Sequence, residues 1–339
     1  MANRDIIVIG ASAGGVEALT QFVKQLPANF PAALFIVLHF PAFSVSVLPK
    51  ILSRAGKLPA FHPSDQTVIE LRQIYIAPPN YHLLIRPGYI RLNQGPREHG
   101  HRPAIDTTFR SAARAYGSRV IGVILTGTLD DGTAGLLTIK SQGGLAIVQD
   151  PDDALFDGMP RSALKYVAVD HIVKLSNLAS CLSQLIHDPI KENRSVSEPL
   201  DREEIIVAHD KAARERGEHP GNPSPFTCPD CGGVLWELRD GNLVRFRCHV
   251  GHAYSIESMA AEQADEVERA LWSANRALEE KAALARRMAV QAQQSNRSAS
   301  EAQFLVRAQE AEQHAALLRQ MILQQEASQP PANSANTDE

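Results

Sequence analysis

The stretch Ile6-Ile7-Val8-Ile9-Gly10-Ala11-Ser12-Ala13-Gly14-Gly15 decides the fold. Four consecutive Ile and Val residues suit a strand buried on both faces. The small residues after them let the backbone turn tightly into a helix and leave amide N–H groups at its positive end. Short apolar runs recur at Ala33 to Leu38, Val120 to Leu125 and Leu145 to Val148, separated by amphipathic stretches. That alternation over residues 5–187 is the pattern of an α/β fold: a doubly wound, mainly parallel sheet covered by helices on both faces. Ile74-Tyr75-Ile76, then Pro78-Pro79 and two short runs around Arg86-Pro87-Gly88, add an inserted hairpin.

The whole chain has 339 residues, more than one ordinary domain of roughly 150 needs. With 44% hydrophobic and 21% charged residues and a net charge of -4, it can build a large core and lacks the bulk basicity for nucleic acid. Four cysteines are too few for a disulfide scaffold, and Cys181 falls in a helical stretch as a core residue. No signal-peptide pattern opens the chain and no apolar run is long enough to span a bilayer, so a soluble cytoplasmic protein is expected.

The expected organisation is a catalytic-sized domain over 1–187, a polar linker over 188–225 with one helix near Arg202 to Arg214, a Cys/His module over 226–258, helices over 259–327 and a disordered tail over 328–339. In the helical part Val267, Leu271, Ala274 and Leu278 share one face, as do Phe304, Ala308, Ala311, Ala315, Leu318 and Ile322. Ser298 to Glu301 fits a capping box between them. The two helices form a hairpin or pair with a second copy as a homodimer.

The glycine-rich turn admits more than one function. A dinucleotide site would need GxGxxG and an acidic residue ending the second strand, but position 12 is serine and the second strand ends in His39. The same residues match GxSxG, in which a serine projects above the sheet beside the next backbone N–H. A structural or phosphate-binding turn explains the serine equally well until its partners are considered. His39 follows Phe35 to Leu38 directly, and Asp131 lies just beyond Val120 to Leu125. Strand carboxyl ends in an open α/β sheet share one rim, so Ser12, His39 and Asp131 can converge although far apart in sequence. Their order matches no familiar triad. Triads are defined by role, however: a base takes the hydroxyl proton and a carboxylate fixes the imidazole.

These residues resemble the catalytic domain of the CheB protein-glutamate methylesterases of bacterial chemotaxis. The resemblance covers nearly all of residues 5–187. It rests on Gly10 to Gly15, His39-Phe40-Pro41, Tyr75 to Pro79 with His82, His101-Arg102-Pro103 with Asp106, Leu125-Thr126-Gly127 with Asp131-Gly132, Gly143-Gly144 with Gln149-Asp150, and Gly158-Met159-Pro160. It implies Ser12 as nucleophile, His39 as general base and acid, Asp131 as the group orienting the imidazole, and backbone oxyanion donors at Ala13 and Thr128. The implied reaction is hydrolysis of glutamyl γ-methyl esters on a methylated chemoreceptor or related signalling protein, through an acyl-enzyme, with glutamine deamidation as a second activity and no catalytic cofactor. Two features depart from the family. The catalytic pattern begins at residue 5 with no receiver domain before it, so control by an attached phosphoacceptor is not expected. The loop before Asp131 reads Gly127-Thr128-Leu129-Asp130 where the family usually has Gly-Met-Gly, which unsettles the Thr128 donor.

Bland roles compete for the remaining polar residues. His82 and Asp106 suit loop-holding hydrogen bonds, Asp130 a solvated carboxylate, and His101 and Arg102 contact with an acidic peptide. Cys228-Pro229-Asp230-Cys231 and Cys248-His249-Val250-Gly251-His252 form two knuckles joined by a hairpin through Asp240-Gly241, a zinc-ribbon-like pattern. Cys228, Cys231, Cys248 and His252 are the expected ligands of a structural zinc, with His249 as substitute. Only Arg245 and Arg247 cluster there, so a protein-binding or spacer role is favoured over nucleic acid. Two functions remain: the methylesterase, and a weakly active or inactive signalling adaptor that binds receptors or a cognate receptor methyltransferase.

Overall fold

A computed structural model describes residues 3–40, 45–188, 190 and 221–328. The expected helix near 202–214 and the tail after 328 lie outside the described residues. Two compact units result, Met1–Met259 and Ala260–Glu339.

The first unit is built on β1 (Ile6–Ala11), which is buried along its whole length. Ile7, Ile9 and Ala11 point into one apolar layer and Ile6 and Val8 into the other, as the two-residue period of a strand dictates. Helix α1 (Gly15–Gln25) returns the chain to β2 (Ala33–Leu38), which pairs with β1 in parallel from Ile6↔Ala33 to Ala11↔Leu38. Helix α2 (Leu48–Ala55), β3 (Ala60–Phe61) and β4 (Ile74–Ile76) extend the sheet beyond β2. β5 (His82–Arg86) and β6 (Tyr89–Asn93) form the inserted hairpin as a separate two-stranded sheet. Helix α3 (Ile105–Tyr116) then leads to β7 (Val120–Ile124), which pairs with the other edge of β1.

Helix α4 (Thr133–Ser141), β8 (Leu145–Gln149), α5 (Gly158–Tyr166), β9 (His171–Val173) and α6 (Leu175–Leu185) complete the fold. Strand order is β3-β4-β2-β1-β7-β8-β9 and every pair is parallel, the doubly wound plan. Cys181 packs against the core from α6. Among the described residues no helix is long and apolar enough to cross a membrane.

The Cys/His module is a four-stranded antiparallel sheet of β10 (Asn222–Thr227), β11 (Val234–Asp240), β12 (Leu243–Cys248) and β13 (Ala253–Ser255). Its strands begin four residues before position 226. Its apolar centre is small: Leu235, Phe246, Tyr254 and Met259 with Cys228 and Cys248. It packs within the first unit, where a parallel bridge joins Glu98 to Ala253.

Helix α7 (Ile256–Gln294) starts directly after β13, and α8 (Ser298–Ser328) follows a turn through Asn296, whose φ is 56°. In the second unit the two helices form a hairpin with an alanine seam of Ala282, Ala285, Ala289 and Ala292 against Ala308, Ala311 and Ala315, with Arg286 and Glu312 paired at 2.7 Å. The α8 face agrees with the sequence reading. On α7 the buried line passes through Asn275 instead of Ala274, and Val267 is exposed. Continuing the three-and-four spacing backwards from Ala282 through Leu278 reaches Asn275 and Leu271, which sets the phase.

Gly10 lies near the end of β1, where Ile105 of α3 meets the strand, and an added Cβ would collide with Ile105 Cγ2. Gly10→Ala should therefore cost about 1–3 kcal/mol of stability by overpacking. Urea denaturation checks this, and an unchanged midpoint would contradict the close approach.

Candidate active site

Ser12 leaves β1 at the sheet's carboxyl rim. Its amide donates to the Thr126 carbonyl (3.0 Å), and its own carbonyl accepts from the Gly15 amide (2.9 Å). The turn is closed by Gly14 in the left-handed region, with φ 72°. Gly127 presses against the serine from the β7 side, since a Cβ there would lie 2.9 Å from Ser12 Cβ and 2.1 Å from Met159 Sδ. Thr126 ties the turn together: its hydroxyl donates to Ala13 O, and its amide donates to Gln149 Oε1. These contacts give Gly127, Gln149 and Met159 of the sequence motifs a common task of shaping the serine's turn.

His39 sits one residue beyond β2, beside Ser12. Its Nδ1 lies 3.1 Å from Ser12 Oγ and its Nε2 2.8 Å from Asp131 Oδ2. The three residues singled out in the sequence are thus joined in one line. Since an ionised carboxylate only accepts, Nε2 carries the proton, and Nδ1 presents its lone pair to the serine hydroxyl. Asp131 also accepts from the amides of Ile105 (2.8 Å) and Asp106 (3.0 Å) at the start of α3.

Asp131 is buried beside three more charged groups. His99 Nε2 donates to Asp106 Oδ2 at 3.0 Å and lies 3.8 Å from Asp131 Oδ1, and His99 Nδ1 lies 3.9 Å from Asp130 Oδ1. Burial alone would raise Asp131, but the His99 charge and the His39 and Ile105 hydrogen bonds prevail and hold it well below the usual carboxylate range. Burial likewise opposes charge on His99, yet Asp131 and Asp106 outweigh it and lift His99 to about 10. Asp130 is not a solvated carboxylate. It is 2% exposed, accepts from Ser255 Oγ (2.8 Å), and is pushed up to about 6 by burial against the pull of His99.

His101 has a different position from the one expected. Its ring stacks on that of His39, with centroids 3.7 Å apart. Burial, and then the neighbouring His39, push it down to about 3, so it stays neutral. Arg102 is spent on Asn80 Oδ1 and the Gln94 and Gly95 carbonyls. His82 holds a loop, its Nε2 donating to Pro96 O, whereas Asp106 accepts from the Gly135 amide in the first turn of α4 and from His99, and so holds no loop of its own.

Ala13 follows the serine directly, and Thr128 lies between Gly127 and Leu129. Neither amide has a hydrogen-bond partner among the described residues. Leu129 has φ 58°, so the chain keeps a left-handed residue where glycine is usual, at a backbone cost of roughly 1–2 kcal/mol.

In the ribbon, Cys228 Sγ and Cys248 Sγ lie 3.6 and 3.5 Å from His252 Nδ1, and Cys231 Sγ lies 3.7 Å from Cys248 Sγ. All four ligand atoms fall within 4.8 Å of one another. A zinc tetrahedron with bonds of about 2.3 Å to sulfur has edges of about 3.7 Å, so the set fits that ion. His249 stands apart near Trp236. Arg245 pairs with Asp240, and Arg247 donates to Gly251 O and Glu98, so neither forms a basic patch for nucleic acid. The sequence reading missed Glu98, His99, Ser255 and Ser258. The Ser-x-x-Ser spacing at 255–258 was the available signal, because each serine's hydroxyl accepts from the other's amide as a capping box at the start of α7.

A family model described as CheB methylesterase matches residues 7–182. A Leptospira interrogans relative named for protein-glutamate methylesterase/protein-glutamine glutaminase is 38% identical over 191 residues, covering 56% of this chain and 99% of its own length. The correspondingly named proteins of Syntrophus aciditrophicus and Pyrococcus abyssi are 36% and 34% identical, and the chain spans only 54% and 49% of their lengths. The crystal structure of the Thermotoga maritima CheB methylesterase catalytic domain superposes with a TM-score of 0.53 at 31% identity, covering 55% of this chain and 100% of that one.

The stability contributed by the His99 charge should be complete below about pH 6.5, the ordinary value for histidine, and should decline to nothing as the pH rises through about 10. Urea midpoints of wild type and His99→Gln should therefore differ more at pH 6 than at pH 10.5. A gap that does not change with pH would contradict a charged His99.

Proposed function

This chain belongs to the CheB methylesterase family, and from that premise we propose that it hydrolyses glutamyl γ-methyl esters on a methylated chemoreceptor or related signalling protein by way of Ser12. The enzyme class is that of the protein-glutamate methylesterases, carboxylic ester hydrolases. The observation that carries the finer reading is the unbroken line Ser12 Oγ, His39, Asp131, at 3.1 and 2.8 Å.

A serine hydroxyl attacks an ester only if its proton has somewhere to go. In the proposed reaction His39 Nδ1 takes that proton as Ser12 Oγ bonds to the ester carbonyl carbon. The imidazolium then gives it to the departing methoxide, and methanol leaves. Asp131 holds the His39 ring in place and balances its charge while it is protonated, a task suited to a carboxylate held well below the usual range. The amides of Ala13 and Thr128 are the proposed oxyanion donors. Water, activated by the same His39, attacks the acyl-enzyme and releases the free glutamate side chain. A glutamine side chain presents the same carbonyl with ammonia as leaving group, so deamidation follows the same course.

The ribbon is proposed to hold a structural zinc on Cys228, Cys231, Cys248 and His252. Four protein ligands complete a tetrahedron, and the ion would supply folding energy to a sheet whose apolar centre is only six residues.

Methanol release from a methylated receptor fragment tests the activity. Wild type should release methanol, and Ser12→Ala should be slower by roughly 10⁴-fold or more. Binding of the fragment without methanol release by either protein would favour the adaptor reading instead. The metal is tested separately: purified protein should contain about one zinc per chain by elemental analysis, and Cys248→Ser should lose it and melt at lower temperature. Metal content and melting unchanged in that variant would remove the zinc assignment.

A further inference from the structure

Ser255, at the end of β13, reaches Asp130, and Ser258, in the first turn of α7, reaches His99, and the directions of their hydrogen bonds follow from these partners. Ser255 Oγ donates to Asp130 Oδ1 at 2.8 Å, so the 2.9 Å contact between the two hydroxyls must have Ser258 as donor. With its one proton committed, Ser258 Oγ can only accept from His99 Nδ1, 3.0 Å away. The other ring nitrogen faces the Asp106 carboxylate at 3.0 Å and must also donate. With Asp130 ionised, this hydrogen-bond accounting makes His99 an imidazolium. A ring that donates from both nitrogens has no lone pair for a metal, so the compact set His99, Asp106 and Asp131 is an ion-pair network.

The loop carrying His99 is clamped by the same module. The His99 amide donates to Ala253 O (2.7 Å), and the Ala253 amide donates back to Arg97 O (3.4 Å). Arg247, fully buried on β12, donates to Glu98 Oε1 at 3.0 Å, while Arg110 of α3 holds the same carboxylate from the α/β side. Contacts therefore run without a break from the ribbon through His99 to Asp106 and Asp131, and on to His39 and Ser12.

We infer that His99 is a positioning residue for the esterase centre, steadying the Asp131 carboxylate that orients His39 and the Asp106 carboxylate beside it, and that the Cys/His ribbon is the part of the chain that holds His99. The inference rests on the reading of Ser12, His39 and Asp131 as the reacting groups. It assigns the ribbon a place in the active centre rather than the protein-binding or spacer role suggested by its sequence. The charged and titratable groups facing His99 are Asp106, Asp130, Asp131 and His101, with Glu98 and Arg110 behind them. Of these, the three aspartates carry the compensating charge.

The test follows the rate at which a fluorophosphonate labels the full-length protein, read by intact mass. Serine oxygen displaces fluoride at phosphorus and its proton passes to the base, so the rate reports activation of Ser12 without any assumption about substrate. A misplacement of about 1 Å in such a centre costs on the order of 10²-fold. Labelling of His99→Gln should be about 10- to 100-fold slower than wild type, and that of Ser258→Ala about 3- to 10-fold slower. For His99→Gln the acid limb of the pH–rate curve should also move to higher pH, because removing a cation beside the His39 and Asp131 pair eases proton uptake by that pair. A merely structural defect would lower the amplitude of labelling and leave the limb in place. If His99→Gln does not fold, Ser258→Ala decides alone. Wild-type rates with an unmoved limb would overturn the inference. Labelling of Ser12→Ala at the wild-type rate would instead remove the nucleophile reading, and the inference with it.

Discussion

Parallel strands lie about 4.8 Å apart and end on the same rim of their sheet, and this spacing governs the rest of the molecule. β1 is flanked by β2 on one edge and β7 on the other. The loops leaving three adjacent strands therefore bring a serine, a histidine and an aspartate to one place, although 92 residues separate the last two. The strand order reverses at β1, the place in an open α/β sheet where ligands commonly bind. Small residues at Gly10, Gly14 and Gly127 are the local cost of this crowding, since Gly10 and Gly127 are approached too closely for a Cβ and Gly14 has a left-handed backbone.

Placing several charges out of water is expensive unless every one is paired. Around Asp131 the carboxylates of Asp106 and Asp130 share the single cation His99, and Glu98 is shared between Arg110 and Arg247. One of these partners, Arg247, comes from beyond residue 240, as does Ser255, which donates to Asp130. The ribbon thus completes the electrostatics of a site whose chemistry belongs to the α/β body, and the body in turn covers the ribbon's buried Arg247.

The fold was legible because its signals are local. Each of Ser12, His39 and Asp131 stands just past an apolar run, and the hairpin after Ile76 is marked by proline and glycine. Cys228, Cys231, Cys248 and His252 were legible for the same reason, as two tight knuckles. What escaped was long-range. Asp130 reads as a solvated loop acid until Ser255, 125 residues away, reaches it. His101 gives no sign in sequence that it will stack on His39. On α7 the apolar spacing through Val267 and Ala274 competes with a second phase through Asn275, and packing against α8 selects the phase with the buried asparagine.

The central claim is that Ser12 and His39 act as a unit on an ester. A double-mutant cycle on methanol release tests it most directly, using Ser12→Ala, His39→Ala and the variant carrying both. The account predicts that the double variant is about as slow as either single one, because each change already removes the same step. Losses that multiply would contradict it, showing two residues that contribute independently.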